Sequence, residues 1–192
     1  MINWDEKTKL QKVISIFEYD IKVALDNALQ YKYLLKLFND NFEFVNTAPV
    51  FFSRTISSCM YSLIMRSARI FDESKDSYGF KKILNKLENT YSKDGKILKV
   101  INKIKNEYAG YESILDNIRT LRDKVYAHND HKIYKDGDCY SEEEAIDSFN
   151  YDEFEKVLRW AFNACCSIEK AYGDETLPYN DLVNDVINLI NK

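Results

Sequence analysis

The chain has 192 residues and a mass of 22.6 kDa, which suits one domain with a full hydrophobic core. It is 45% hydrophobic and 30% charged, with only 5 Gly and 2 Pro, which argues against long disordered segments and against a turn-rich all-β fold. A net charge of −4 argues, taken as an average, against a nucleic-acid-binding protein. We therefore expect a single domain over residues 1–192.

Apolar residues recur at steps of three and four along most of the chain, which predicts amphipathic α-helices. The first helix is expected over residues 4–38. A second helix begins after the sequence Asn46-Thr47-Ala48-Pro49, which resembles an N-cap followed by a first-turn proline, and it runs to about Asp72. Because this second helix is apolar on almost every side, we expect it to be central in the fold.

The remaining pattern predicts further helices and no strand. A short helix is expected over 80–89, a long helical region over 95–128 with a bend at Gly110, a helix over 151–172 that Gly173 ends, and a last segment over 180–190. Residues 129–141 lack periodicity and are predicted to form a loop. The sequence thus predicts an all-α helical bundle of about four main helices plus short ones.

The spacing of the cysteines, the N-terminal sequence and the lack of long apolar segments indicate where in the cell the protein is located. The four cysteines have no metal-binding spacing, so we expect free thiols and no metal site. The N-terminus has no secretory signal, and no stretch reaches 18 uninterrupted apolar residues. These features predict a soluble cytoplasmic protein without a membrane partner.

Charge is unevenly distributed along the chain. Residues 93–135 carry 10 basic and 6 acidic side chains, whereas residues 136–192 carry 4 basic and 14 acidic ones. The basic segment also contains both histidines, His128 and His131, near its end. The acidic average therefore conceals a basic region in which phosphate binding is plausible.

Arg122 and His128 are the residues in this basic region best suited to chemistry. On a helix they lie about 9 Å apart along the axis, and both border the buried stripe. An arginine fork binds phosphate oxygens, and a histidine transfers protons near neutral pH. The pair therefore suits phosphodiester chemistry. The structural alternative is that Arg122 pairs with Asp116, Asp123 or Asp130 and that His128 caps the helix.

The segment Arg122-Asp123-Lys124-Val125-Tyr126-Ala127-His128 resembles the signature of the HEPN superfamily of helical ribonucleases and RNA-binding domains. In that signature an Arg, usually followed by Asn, Asp or His, precedes a His by four to six residues. The wider sequences LRDKVYAHNDHK and SARIFDESKDSYGFKKIL are similar to the abortive-infection AbiU-like branch. The resemblance covers about residues 50–170.

This resemblance implies a metal-independent endoribonuclease without a cofactor, which acts as a toxin or antiphage effector. By the resemblance, the catalytic residues lie in a cleft at a homodimer interface. His128 activates or orients the ribose 2′-OH, Arg122 binds the scissile phosphate, and Asp123 holds one of these two side chains. A cognate antitoxin is an expected partner. Some antitoxins of this kind modify a Tyr two residues after the His, and Asp130 stands there in this chain.

Neighbouring basic residues are candidates for RNA binding. Lys124 lies within the motif and His131 three residues after it, and Arg69 on the second helix could add positive charge to the same cleft. The alternative for Arg69 is a buried pair with Asp72 that fixes the helix to its loop. Most of the tyrosines and phenylalanines are expected to fill the core and interfaces, because no exposed aromatic face suitable for base stacking emerges from the periodicity.

Two further functions fit the same residues. A non-catalytic HEPN module would bind RNA or nucleotide, or serve as a scaffold, without cleaving RNA. A plain helical interaction protein would use Arg122 only for stability or dimerisation.

Overall fold

The computed structural model describes residues 6–123 and 149–173, except for the side chains of residues 6 and 7. All regular structure in these two ranges is helical, and neither range contains a strand. The predicted all-α bundle is therefore confirmed. We number the α-helices α1 to α7 in chain order.

Helix α1 (Glu6–Asp40) is the longest helix, with 35 residues, and it contacts both α3 and α7. Its buried residues recur at the helical period, so they form one continuous apolar stripe that can pack against both neighbours. They are Leu10, Ile14, Phe17, Ile21, Ala24, Leu25, Ala28 and Tyr31. A single turn, α2 (Phe42–Val45), follows, and the Asn41 side chain caps it by accepting a hydrogen bond from the Phe44 amide.

Helix α3 (Pro49–Ile70) begins with the predicted first-turn proline, but Ala48 is its N-cap, and Asn46 instead ends α2. The prediction that α3 is apolar on almost every side and central is wrong in part. One face is buried, whereas Val50 and Phe51 on the other face are more than 60% exposed. The exposed apolar side chains gave the sequence its misleading all-round apolar pattern.

A loop over 71–79 leads to α4 (Phe80–Thr90) and then to α5 (Gly95–Tyr108), whose first amides bond to the Asp94 carboxylate. A 3₁₀ turn over Ala109–Tyr111 separates α5 from α6 (Glu112–Leu121). The predicted bend at Gly110 is thus confirmed as a break between two helices. Helical backbone continues through Arg122, and the predicted extension to residue 128 lies outside the described residues from position 124 onwards.

Helix α7 (Tyr151–Tyr172) completes the described bundle against α1, α5 and α6. The Asn150 side chain accepts from the Glu153 amide at its start. Gly173 ends it as predicted, with a φ of 91°, a backbone conformation that glycine adopts without strain. The predicted segment 180–190 lies outside the described residues. No helix within the described ranges is long and apolar enough to cross a membrane.

Candidate functional site

Arg122 lies at the C-terminal end of α6 and is held by two carboxylates. Its Nε donates a 2.6 Å hydrogen bond to Asp123 Oδ1, and its Nη1 lies 3.8 Å from Asp72 Oδ1. The hydrogen bond to Asp123 raises the pKa of Arg122, and the charges of Asp123 and Asp72 add to this against the opposing effect of partial burial. About a quarter of the side chain remains exposed, so the guanidinium is fixed in place and still accessible to a ligand.

Asp72 comes from the loop that follows α3, and its carboxylate is itself held by hydrogen bonds. The Ser74 amide donates to Oδ1 and the Ser74 hydroxyl donates to Oδ2, both at 2.9 Å. Partial burial raises the pKa of Asp72, but these bonds and the charges of Arg122 and Lys82 outweigh it, so the pKa lies below its usual value. Asp72 is therefore ionised at neutral pH and directed at Arg122.

The loop that contains Asp72 is closed tightly on itself. Ser77 Oγ donates to the Asp72 carbonyl at 3.0 Å, and the Lys82 ammonium donates to the carbonyls of Ser74, Lys75 and Ser77. A Cβ added at Gly79 would lie 1.7 Å from the Asp72 carbonyl oxygen. Because only glycine permits this approach, residue 79 fixes the position of the Asp72 backbone.

Arg66 and Arg69, near the end of α3, share a different carboxylate. Asp20 of α1 lies 2.5 Å from Arg69 Nη2 and 3.5 Å from Arg66 Nη1. The alternative of a buried Arg69–Asp72 pair is therefore wrong, because Asp72 faces Arg122 and 64% of the Arg69 side chain is exposed. Which arginine pairs with which aspartate therefore depends on how α1, α3 and α6 pack together, and only the tertiary fold determines this packing.

These arginines lie along one open groove of about 500 Å³. Its lining includes both Arg69 and Arg122, as expected if Arg69 contributes to the same cleft. Tyr61 is 46% exposed and also lines the groove, so one aromatic side chain of α3 lies outside the core, beside the arginines. The full lining is Tyr61, Ser62, Met65, Arg66, Arg69, Asp72 and Arg122.

A second polar cluster lies beside the groove and is structural. Glu73 accepts hydrogen bonds from Lys81, the buried Tyr108 and Arg119. Partial burial raises the pKa of Glu73, but these donors and their charges bring it below its usual value. Arg119 also binds Asp116, so Asp116 is not the partner of Arg122. The pairing of Arg122 with Asp123, one of the structural alternatives, is present.

Three of the predicted site residues lie outside the described part of the chain. These are His128, Lys124 and His131. Among the described residues, the structure brings together Arg122, Asp123 and Arg69. Within the same ranges, no three His, Cys, Asp or Glu side chains are placed to hold a metal ion, and Cys59, Cys165 and Cys166 are free thiols.

The sequence did not single out Tyr61 as part of this groove, nor Asp20 and Ser74 as partners of the residues that line it. Tyr61 could have been found from its spacing, because it lies four and eight residues before Met65 and Arg69 and therefore on their face of α3. Asp20 carries no comparable signal, because it lies 49 residues before Arg69 and is one of several acidic residues on α1.

Comparison with known proteins identifies the family to which the chain belongs. No curated protein and no solved structure matches the chain significantly. The sequence model of the AbiU2 family of HEPN domains matches residues 21–190, which includes the whole described groove and the segment from Arg122 to His128. Since this match covers most of the chain, the protein belongs to the HEPN AbiU2 family.

Proposed function

We propose that the protein is a metal-independent endoribonuclease of the HEPN type, which acts as a toxin or abortive-infection effector. The observation that carries this proposal is the restrained and accessible Arg122 in a groove with two further arginines, Arg66 and Arg69. Family membership supports an abortive-infection or ribonuclease-like role. His128, six positions after Arg122, supplies the titratable group that the reaction needs.

In the proposed mechanism the ribose 2′-OH attacks the adjacent phosphorus. His128 takes the proton of the 2′-OH as general base, and Arg122 donates hydrogen bonds to the non-bridging oxygens, on which negative charge develops. The bond to the 5′ oxygen breaks, and this oxygen takes a proton from water and leaves as a 5′-hydroxyl. The other product carries a 2′,3′-cyclic phosphate. Asp123 and Asp72 keep the Arg122 guanidinium oriented throughout.

We further propose that the active form is a homodimer in which each Arg122–His128 motif faces its copy. The neighbouring exposed apolar side chains of α3, Val50 and Phe51, favour association, because monomeric soluble proteins rarely expose contiguous apolar patches. RNA then binds between the two copies. A cognate antitoxin would neutralise the enzyme by covering this cleft.

The decisive experiment is cleavage of single-stranded RNA by the purified full chain in EDTA. We expect cleavage with cyclic-phosphate ends, and a loss of at least about 100-fold in rate for Arg122→Ala and for His128→Ala. Arg159→Ala is the matched control, because Arg159 pairs with Glu155 on α7, outside the groove, and this variant should cleave normally. Equal cleavage by all four proteins would contradict the proposed roles of Arg122 and His128.

A non-catalytic RNA- or nucleotide-binding or scaffold module is the second candidate. The observation that favours it is the pairing of Arg122 with two carboxylates, which satisfies its charge without a substrate. This candidate predicts RNA binding without cleavage and little toxicity on expression. Absence of cleavage by the wild-type protein, together with retained binding, would select it.

A further inference from the structure

Three carbonyl oxygens of the loop between α3 and α4 converge on one point. They belong to Ser74, Lys75 and Ser77, and the Nζ atom of Lys82 lies among them, 2.9 Å from the Lys75 oxygen and 3.1 Å from the Ser77 oxygen. Carbonyl oxygens carry partial negative charge, so three of them around one point repel each other unless a cation lies between them. Backbone carbonyls are also ligands with which proteins bind hard cations.

The ammonium group of Lys82 matches this site in its number of donors. A lysine ammonium has three N–H donors and no acceptor, and the three carbonyls use all three donors. These partners are neutral, so they do not cancel the positive charge, which also acts on the Asp72 carboxylate. The loop therefore holds a charge at its centre in the way that it would hold a bound metal ion.

The position of Lys82 in α4 supports this interpretation. Lys82 is the third residue of the helix, and the first turn of a helix carries partial positive charge that disfavours a lysine there. Its neighbour Lys81 experiences the same dipole and pairs with the Glu73 carboxylate at 3.2 Å. The loop thus compensates both lysines, one with a carboxylate and the other with backbone oxygens.

Ser74 connects this cation site to the groove. Its carbonyl oxygen accepts from Lys82, while its amide and its hydroxyl donate to the Asp72 carboxylate. That carboxylate lies 3.8 Å from Arg122 Nη1. Ser77 makes a second connection, because its hydroxyl proton is shared between the carbonyls of Asp72 and Ser74. Without a cation the carbonyls would move apart, and the peptide groups that hold Asp72 would move with them.

We propose that the α3–α4 loop is a cation-binding loop whose cation is the chain's own Lys82 ammonium, and that Lys82 is thereby a positioning residue for Arg122. The cation site is inferred from the contacts of the loop alone, whereas the effect on Arg122 rests on the proposed function. The ligand class is a primary ammonium, because the site offers acceptors for three N–H donors. A small alkylammonium ion should therefore occupy the site when the Lys82 side chain is removed.

The first test replaces the lost side chain by a free ion. Lys82→Ala removes the atoms of n-propylammonium, so the full chain with this substitution should bind that ion, and near saturation its thermal midpoint should rise by roughly 3 °C. Tetramethylammonium chloride at the same concentration should not raise the midpoint, because this cation has no N–H donor. Lys81→Ala is the matched control, since it removes the same charge from the same helical turn without touching a loop carbonyl. Equal responses of Lys81→Ala and Lys82→Ala to n-propylammonium would overturn the cation site.

The wild-type protein provides a test that needs no destabilised variant. An exposed ammonium exchanges its protons with water too quickly to give a ¹H–¹⁵N correlation at neutral pH, whereas an ammonium held by three hydrogen bonds exchanges slowly. The spectrum of ¹⁵N-lysine-labelled protein should therefore contain an Nζ signal that disappears in Lys82→Arg. If no lysine signal is lost in that variant, Lys82 is not held by the loop and the proposal is wrong.

Cleavage kinetics test the connection to Arg122. Lys82→Ala should lower kcat about tenfold with KM changed less than about twofold, because the guanidinium is displaced and not removed. n-Propylammonium should restore kcat to within about threefold of the wild type, and Lys82→Met should show the same loss without rescue, because its side chain fills the site. An unchanged kcat for Lys82→Ala would overturn the positioning role. Stabilisation of Lys82→Ala by n-propylammonium alone, without any cleavage by the wild-type protein, would uphold the cation site and overturn the nuclease.

Discussion

Arg122 and Arg69 line the same groove but are held in different ways. Arg122 lies against two carboxylates, one of which is fixed by Ser74, and only about a quarter of its side chain is exposed. Among the described residues Arg69 pairs with Asp20 alone, and 64% of its side chain is exposed. A fixed cation can stabilise a transition state because it needs no reorganisation, whereas a mobile one mainly adds attraction. The groove thus combines a positioned arginine with an adaptable one.

The largest expected effect comes from replacing each arginine by lysine, which tests whether the two arginines differ in their contribution to kcat. We expect Arg122→Lys to lower kcat about 100-fold, because an ammonium keeps the charge but cannot hold Asp123, Asp72 and a phosphate with one planar fork. Arg69→Lys should change kcat less than about threefold. Initial cleavage rates at saturating RNA measure both. Equal losses for the two variants would remove the distinction between them.

Removing the charge of Asp72 should have the next largest effect. Asp72→Asn keeps an acceptor for the Ser74 amide but releases Arg122 from one of its two carboxylates, and we expect kcat to fall about tenfold through misplacement of the guanidinium. KM should not rise, since the substitution makes the groove more positive. A matched Asp116→Asn variant, which alters the Arg119 partner, should retain full kcat.

The same aspartate should make stability depend on pH in acid. Because the folded-state pKa of Asp72 is lowered, its contribution to stability is present above the unfolded pKa of about 4 and is lost as the pH falls through the lower folded value. Glu73 acts in the same direction. Denaturant titrations at pH 7 and pH 3 should give a smaller loss of unfolding free energy for Asp72→Asn than for the wild type. An identical loss would mean that folding does not lower the pKa of Asp72.

Removal of Arg69 should affect binding more than chemistry. Arg69→Ala should weaken RNA binding about three- to tenfold at low salt and reduce the slope of log K against log [salt] by about 1, because one phosphate contact disappears. Anisotropy titrations at several salt concentrations give both values. An unchanged slope would place Arg69 outside the path of the RNA backbone.

The smallest expected effect is that of Asp20→Asn. This substitution frees Arg66 and Arg69 from their shared carboxylate, so RNA binding should tighten about twofold at low salt and approach the wild-type value as salt rises. Binding that weakens instead would show that Asp20 orients the arginines and does not only offset their charge.

Much of the fold could be predicted from local patterns. The 3.6-residue period, Pro49, Gly110 and Gly173 located helix starts, breaks and ends to within a few residues. Ion pairs between residues far apart in the sequence could not be predicted in this way. Whether Arg69 pairs with Asp72 or with Asp20 depends on how α1 crosses α3, and both carboxylates were chemically acceptable.

In the candidate site too, local features could be predicted from the sequence and tertiary ones could not. Arg122 and Asp123 were identified from a short motif, and their contact follows from adjacency. The sequence did not reveal Tyr61 because an aromatic residue on an apolar helix is usually buried, whereas this side chain is 46% exposed. The role of His128 stays a prediction.

The close approach of Gly79 to the Asp72 carbonyl has a consequence for motion in the protein. Backbone lies directly on backbone there, with no side chain between them that could be compressed or change its rotamer. The end of α3 and the beginning of α4 are thereby joined as one mechanical element. A displacement of α4 towards or away from the bundle would carry Asp72 with it, and with Asp72 the carboxylate that restrains Arg122.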